Sequence, residues 1–186
     1  MGSITRRLCP LLASACLITG AAACTSGGDP TRSTTHSGAT VSPAARATPD
    51  EPLQFRPVLS VSTGSCPTGK ASYIRDGQDG SCVRLAAPAL TVTQLRSVHA
   101  TRIQGGTWAV QVVLQPADRA RFTTLTTKLT RKRPPRNQLA MVLGTTADRR
   151  LLTAPSVQSP IATGSLQITG GLTRSSAQRL VHDLGG

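Results

Sequence analysis

The chain has 186 residues and a formal net charge of +13, with 21 Lys and Arg against 8 Asp and Glu. Aromatic residues make up only 2% of it, which excludes a surface on which single-stranded nucleic acid could stack its bases. The core must be built from Leu, Val, Ile and Ala. After residue 24, no apolar run approaches the roughly 20 residues that a membrane-spanning helix needs.

The first 23 residues have the form of a bacterial signal peptide. Arg6 and Arg7 precede an apolar stretch, residues 8–23, that is short for a membrane span. Cys24 follows three alanines, a pattern similar to a lipobox. This pattern predicts that the peptide bond before Cys24 is cleaved and that Cys24 is acylated. A lipobox usually has Leu where Ala21 stands, and ordinary signal peptidase would cut at the same bond. An uncleaved anchor helix and a simple secreted protein are therefore the alternatives.

Residues 25–52 predict a disordered tether. Of these 28 residues, 21 are Ser, Thr, Gly, Pro or Ala, and they bury too little apolar surface to offset chain entropy. The predicted organisation is a lipoprotein signal peptide at 1–23, a disordered linker at 24–52 and one domain at 53–186. We expect the protein at the extracytoplasmic face of the cell membrane, held by lipid, with secretion as the alternative.

Cysteine usage agrees with export. Cys66 and Cys82 are the two cysteines that follow Cys24, and they enclose a Gly- and Asp-rich loop. Disulfides persist in extracytoplasmic proteins, so the sequence predicts a bridge between these two. The alternative, a metal site, has no further His or Cys ligands close by in the sequence, whereas zinc sites have four ligands.

The next segments predict strands at 55–61 and 83–86 and a helical turn at 91–95. Residues 98–103 and 108–115 flank Gln104-Gly105-Gly106-Thr107, which is typical of a β-hairpin. In the second arm Trp108, Val110, Val112 and Leu114 share one face. The opposite face carries Gln111, so we expect this strand to be covered on one side only.

A helix is predicted at 116–132, with Pro134 ending it and Phe122, Leu125 and Leu129 as its apolar stripe. Residues 139–143 are continuously apolar, as in a strand buried on both faces. After a loop, a strand is expected at 165–169, followed by a terminal helix capped by Thr173. This order predicts an α+β fold: an antiparallel sheet with two helices packed on one face.

Charge provides the main functional signal. From Arg119 to Arg136 there are seven basic residues and no acidic one. Anionic lipids, anionic envelope polymers or acidic protein surfaces could bind such a segment, and a solvated face is the plain alternative. The candidate binding residues are Arg121, Lys128, Arg131, Lys132, Arg133 and Arg136.

Catalytic motifs are absent from the sequence. There is no nucleophile elbow, phosphate-binding loop, dinucleotide fingerprint or paired-His metal motif. His99 falls in a predicted strand and His182 in the terminal helix, where packing or surface roles are the common case. We therefore expect no enzyme activity, no cofactor and no metal.

Several motifs resemble one family when they are taken in order. They are Leu139 to Leu143, Ala154-Pro155, Pro160-Ile161-Ala162-Thr163-Gly164, Ile168-Thr169-Gly170, and Ala177 with Leu180. The segment Leu53 to Val58 is similar to a further strand of that family, and Phe122 with Thr126 matches its helix pattern. The chain from Leu53 to Gly186 thus resembles the head subdomain of the first large periplasmic domain of the SecD/SecF protein-export subunits.

The resemblance implies the fold and contact with polypeptide, since that family domain is thought to meet exporting chains. It supplies no catalytic residues and no disulfide. The transmembrane helices that couple proton flow to protein movement in SecD and SecF have no counterpart after residue 24. The expected partners are the cell membrane, through a lipid anchor, and unfolded exported polypeptides or the Sec translocon. A basic lipoprotein that binds anionic polymers or lipids is the alternative.

Overall fold

The computed structural model describes residues 46–145 and 148–186. The predicted signal peptide, Cys24 and most of the predicted linker lie outside these residues. The nine strands are β1 (Leu53–Ser62), β2 (Tyr73–Arg75), β3 (Cys82–Leu85), β4 (Leu90–Val92), β5 (Leu95–Arg102), β6 (Trp108–Leu114), β7 (Leu139–Leu143), β8 (Arg150–Thr153) and β9 (Ser165–Leu172). The helices are α1 (Pro116–Leu129) and α2 (Arg174–Asp183), and a single 3₁₀ turn spans Gln104–Gly106.

The predicted α+β class, with antiparallel strands and two helices, is confirmed. The strands form two sheets. One has six strands in the order β2-β3-β1-β7-β8, with β4 paired to the start of β1; the other has three, in the order β5-β6-β9. Helix α2 lies on the three-stranded sheet, and α1 lies beside β4 of the larger one. One hydrophobic core joins both sheets and both helices.

Strand β7 is an inner strand of the larger sheet and is buried on both faces. All five of its residues are buried, as the continuous apolar run predicted. It pairs with β1 on one side and β8 on the other. The side chains of Leu139, Met141 and Leu143 face the main core, whereas Ala140 and Val142 pack with Val58 in a smaller cluster on the opposite face.

The hairpin of β5 and β6 also agrees with its sequence pattern. Val110, Val112 and Leu114 are buried on one face, and Gln111 pairs with His99 on the other. The glycine at position 105 has a positive φ of 81° in the connecting turn, a conformation that residues with a side chain rarely adopt. The three-stranded sheet is therefore covered by α2 on one face and open on the other.

Three short strands differ from the predictions. The expected helical turn at 91–95 is wrong: Leu90 and Val92 are buried while Thr91 is exposed, which is the two-residue period of β4. Within the disulfide loop, β2 pairs with β3. In the expected loop after β7, the chain forms β8. Strand β4 pairs with β1, which is distant in sequence, whereas β2 and β8 pair with neighbouring strands but have only three or four residues, too few for a periodic signal.

The helices end close to their predicted boundaries. Pro116 occupies the first turn of α1, where its missing N–H costs nothing, but the helix ends at Leu129 rather than Lys132. Helix α2 begins at Thr173 as expected, with a reciprocal capping box: the Thr173 side chain accepts from the Ser176 N–H, and Ser176 Oγ accepts from the Thr173 N–H.

Residues 46–52 pack on the domain, although the sequence assigned them to the tether. The Ala47 N–H donates to the Leu95 carbonyl at 3.1 Å, and the Leu95 N–H returns a bond of 2.7 Å to Ala47. Ala47 is buried, and the Asp50 N–H donates to the carbonyl of Asp183 at the end of α2. The packed domain thus includes residues before Leu53, because this segment pairs with the start of β5.

Candidate binding site

Two strand edges lie next to each other where the sheets meet. Strand β8 ends the six-stranded sheet and β9 ends the three-stranded one, and among the described residues no ladder of hydrogen bonds joins them. Together with α2 they enclose a cavity of about 340 Å³ that reaches from Leu151 and Leu152 to Thr169 and Leu180. We call this space between β8, β9 and α2 the inter-sheet groove.

Two contacts span the groove and hold its walls in place. Arg150 of β8 forms an ion pair with Asp183 of α2. Gln78, from the disulfide loop, lies against Gly170 of β9, where a Cβ atom would clash with its amide. Glycine is required at position 170 both by this approach and by its φ of 135°.

An apolar pocket of about 170 Å³ lies between the start of β9 and helix α1. Its walls come from β1, β7, α1, the segment after β8, and β9. The lining residues are Phe55, Phe122, Leu139, Met141, Pro155, Val157, Ile161, Ser165, Leu166 and Gln167. The rings of Phe55 and Phe122 meet edge-on at 5.0 Å between centroids, which fixes the floor of the pocket.

Threonines of α1 hold the segment that forms the pocket rim. The buried Thr126 hydroxyl donates within its own helix and accepts from the Ile161 N–H at 3.1 Å. The Thr123 hydroxyl donates to the Ile161 carbonyl at 3.1 Å. Helix α1 therefore binds Ile161 through both of its backbone groups. The sequence pattern of Phe122 and Thr126 indicated this helix but not its contact with the rim.

The predicted basic residues share a surface but do not line the groove. All seven from Arg119 to Arg136 are exposed on α1 and the turns that follow it, and none forms an ion pair with another described residue. Arg121 and Lys128 flank a shallow depression with Leu125. This basic surface consists of Arg121, Lys128, Arg131, Lys132, Arg133 and Arg136.

The Cys66–Cys82 disulfide is present, with a Cα–Cα distance of 5.2 Å, as the sequence predicted. Cys82 starts β3, so the bridge fixes the loop to the larger sheet. His99 and His182 are both exposed. Within residues 46–145 and 148–186, no group of three His, Cys, Asp or Glu side chains is arranged to hold a metal ion.

Sequence reasoning missed the groove residues. Leu151 and Leu152 were read as loop, and the free edge of β9 cannot be recognised before its neighbours are known. The two adjacent leucines were the one available signal, but a strand of four residues is too short to be recognised from its pattern. In the part of the chain that the structure describes, no helix is long and apolar enough to cross a membrane.

Comparison with known proteins gives one family. Residues 70–186 match the model of the SecDF P1 head subdomain. No curated protein matches the chain. Among solved structures, the chain is 23% identical, with a TM-score of 0.49, to a protein described as a membrane component SecDF that enhances protein export; the match covers 75% of this chain and 61% of that one.

A second solved structure, SecDF in its super-membrane-facing form, is 22% identical with a TM-score of 0.49. That match covers 72% of this chain and 18% of the SecDF chain, so the present chain spans only part of the length of these relatives. The family model covers well over half of the 186 residues. On that match, the chain belongs to the SecDF P1 head subdomain family.

Proposed function

We propose that this protein is an extracytoplasmic binding module, tethered to the membrane by a lipid on Cys24, that holds extended exported polypeptides. It acts by binding and not as an enzyme. The observation that carries the proposal is the pair of unpaired strand edges, β8 and β9, in a groove beside an apolar pocket. The family is a second support, because a SecDF relative is described as enhancing protein export.

The groove suits a ligand of no fixed sequence. An extended chain that adds to the free edge of β9 would bond through backbone N–H and C=O groups, which every residue supplies. Side chains of a strand alternate, so every second one would turn toward the core side, where the apolar pocket can accept it. Affinity would come from the backbone, and a preference for apolar residues from the pocket.

The basic surface on α1 would add long-range attraction. Its charges draw acidic segments toward the domain before the backbone bonds form, and this steering weakens with salt. The lipid on Cys24 would keep the domain close to the exit of the Sec translocon, which is its second proposed partner. The inter-sheet groove, and not the basic surface, would bind the backbone of the exported polypeptide.

A second candidate function is binding of anionic envelope polymers or lipids. One observation favours it: seven exposed cationic side chains between Arg119 and Arg136 form no ion pair within the described part of the chain. Such binding would use the basic surface without a strand edge. It would weaken steeply as the Debye length falls from about 10 Å at 0.1 M salt to 3 Å at 1 M.

Peptide binding separates the two candidates. A fluorescent, unstructured, uncharged peptide with alternating apolar residues should bind the full chain, and binding should persist at 1 M salt. The same peptide with N-methyl groups on alternate amides should lose at least about tenfold in affinity, because each methyl removes a hydrogen-bond donor. Equal binding of both peptides would rule out strand addition.

The apolar pocket has its own variant and control. Ile161→Trp should fill the pocket and weaken the peptide about tenfold, since one well-packed side chain contributes that much. Val61→Trp makes the same change at an exposed position at the far end of β1 and should have no effect. If both variants bind like the parent, the pocket takes no part.

Photo-crosslinking in cells tests the partner directly. Probes at Leu152 and Gln167, beside the groove, should link to nascent exported proteins or translocon subunits. Probes at Arg121 and Lys132 sample the basic surface. If crosslinks arise only from the basic surface, join envelope polymer or lipid, and vanish in high salt, the second candidate is the correct one.

A further inference from the structure

A second cavity, lined by other residues than the inter-sheet groove, has basic side chains in its wall. It measures about 380 Å³ and lies between the disulfide loop and the β7–β8 connection. Its lining residues are Pro67, Gly69, Lys70, Ala71, Tyr73, Thr145 and Arg149. Two of these are positively charged, and none of the described lining residues carries a carboxylate. The polypeptide groove has no residue in common with it.

The guanidinium of Arg149 is held in place at the wall. Its Nη2 donates to the Tyr73 carbonyl of β2 at 3.0 Å, and the residue is only partly exposed. Its position is therefore set by sheet backbone. A guanidinium that is already ordered loses little further freedom when it binds an anion.

A third cation lies beneath the cavity. Arg56 of β1 is 8% exposed and donates through Nε to the Ala86 carbonyl at 2.8 Å. Its Nη1 reaches the carbonyl of Ala71, a lining residue, at 3.5 Å. Burial first, and then the positive charge of Arg149, lowers the pKa of Arg56. An anion in the cavity would be attracted by the positive charges of both arginines.

The loop that carries Lys70 is fixed at two points, at one by a disulfide and at the other by a hydrogen bond. The Cys66–Cys82 disulfide ties its start to β3, and the Tyr73 N–H donates to the Lys70 carbonyl at 3.1 Å. Lys70 is exposed at the mouth, where its ammonium can move toward a ligand. The cavity combines one mobile cation, one fixed cation and one buried cation.

We infer that this cavity, between Lys70, Arg149 and the underlying Arg56, is a binding site for a phosphate group. A phosphate monoester carries a charge of about −1.5 to −2 at pH 7 and three acceptor oxygens, so it balances this cluster better than a carboxylate does. Arginine presents a planar fork of N–H groups that matches phosphate oxygens, and lysine adds a point charge. The Thr145 residue in the lining adds a hydroxyl group.

Titration calorimetry on the full chain tests the site with three probes. Inorganic phosphate and glycerol 3-phosphate represent free phosphate and its monoesters, whereas glycerophosphoglycerol, a diester, represents a phospholipid headgroup. We expect saturable binding, with acetate binding at least about tenfold more weakly because it carries a single charge and two oxygens. Preference for monoesters indicates a soluble phosphate compound, and preference for the diester indicates lipid.

Lys70→Gln is the decisive variant, because Lys70 is exposed and its loss should leave the fold intact. It should weaken phosphate about tenfold, the loss of one charge-assisted hydrogen bond. Arg96→Gln removes one positive charge from an exposed position on β5, outside both proposed sites and the basic surface, and should change affinity less than twofold. Arg149→Gln should weaken binding further, with its melting curve recorded as a check on folding.

Three results would overturn the site. They are no saturable phosphate binding, equal affinity for phosphate and acetate, and equal losses in Lys70→Gln and Arg96→Gln, which would mean that only net charge matters. Because the peptide assay uses the groove and this assay does not, either proposal can fail while the other stands.

Discussion

At the scale of single residues, Thr126 shows how one hydroxyl group connects two parts of the chain. Its side chain is fully buried in α1, donates to the Phe122 and Thr123 carbonyls at 3.0 Å, and accepts from the Ile161 N–H. The hydroxyl group of a threonine in a helix commonly donates a hydrogen bond to the backbone carbonyl one turn earlier. Here the same oxygen also accepts a hydrogen bond from Ile161, in the segment that forms the rim of the apolar pocket.

Thr126→Val should therefore destabilise the protein by about 1–3 kcal/mol, because the Ile161 N–H loses its acceptor in a partly buried place. Thr126→Ser keeps the hydroxyl and should cost less. Thr124→Val provides the matched control, since its hydroxyl is exposed and bonds only the Ala120 carbonyl of the same helix. Denaturant unfolding would contradict the prediction if the valine variants at 124 and 126 had equal stability.

Arg56 shows the limit of reading residues from sequence. It stands in an apolar strand, at a position where the similar family strand also has arginine, but the sequence does not show what its side chain contacts. In the structure it is buried and bonded to the Ala86 and Ala71 carbonyls. Its neighbour Arg149 is 93 positions away along the chain. Only the pairing of β1, β7 and β8 brings the two charges together.

At the scale of elements, α2 is held at both ends. The capping box at Thr173 and Ser176 satisfies its first N–H groups, and Gly185 ends it with a φ of 80°. A Cβ atom at Gly185 would collide with the backbone of Thr48. The end of α2 therefore packs directly on the segment that leads into β1.

Gly185→Ala should cost about 2–5 kcal/mol, the sum of a left-handed backbone with a side chain and a clash with Thr48. Gly105→Ala is its control. Gly105 has nearly the same φ, 81°, but nothing lies within 4 Å of its Cβ position, so only the backbone cost of about 1–2 kcal/mol applies. Equal losses in urea unfolding would mean that residues 46–52 do not pack on α2.

The two helices should differ in how much their leucines contribute. Leu180 of α2 is 6% exposed in the main core, and Leu180→Ala should lower the free energy of unfolding by about 2–5 kcal/mol. Leu125 of α1 is half-buried beside Arg121 and Lys128, so Leu125→Ala should cost only about 1 kcal/mol. The spacing of apolar residues in the sequence does not distinguish a half-buried leucine from a fully buried one. A loss at Leu125 as large as that at Leu180 would contradict the observed packing.

The elements that sequence patterns predicted correctly are those that carry their own local signal. The run at β7, the glycines between β5 and β6, and Thr173 before α2 each act within a few residues. Strands β2, β4 and β8 have three or four residues each and exist because β3, β1 and β7 offer them hydrogen bonds. The candidate groove depends on β8, which is why the sequence could not locate it.

At the scale of the whole molecule, the two proposed sites lie in different parts of the fold. The inter-sheet groove lies where the sheets meet, and the cationic cavity lies on the larger sheet under the disulfide loop. The alternation along each strand predicted which face is buried, but it contains no information on which strands share a sheet. The basic surface, by contrast, was readable as a run of charges and is exposed as such.

Acylation of Cys24, which lies outside the described residues, would set the position of the domain relative to a membrane. If Cys24 is acylated, a coil of the composition of residues 25–45 would give an average reach of roughly 25 Å from the bilayer. One acyl chain binds membranes only marginally, whereas the additional chains of a lipidated N-terminal cysteine give stable attachment. The groove and the basic surface would then stay near exported chains as these leave the membrane.

Cys24→Ser should move the protein from the membrane fraction to the soluble fraction or the medium, because the lipid attachment atom is lost. Cys16→Ser changes a cysteine within the predicted signal peptide, which is removed on maturation, and should leave the protein at the membrane. Mass spectrometry of the N-terminal peptide should find residue 24 at the new terminus with acyl chains attached. An unmodified thiol at that terminus, or membrane attachment that survives Cys24→Ser, would show that the protein is secreted or held by an uncleaved helix.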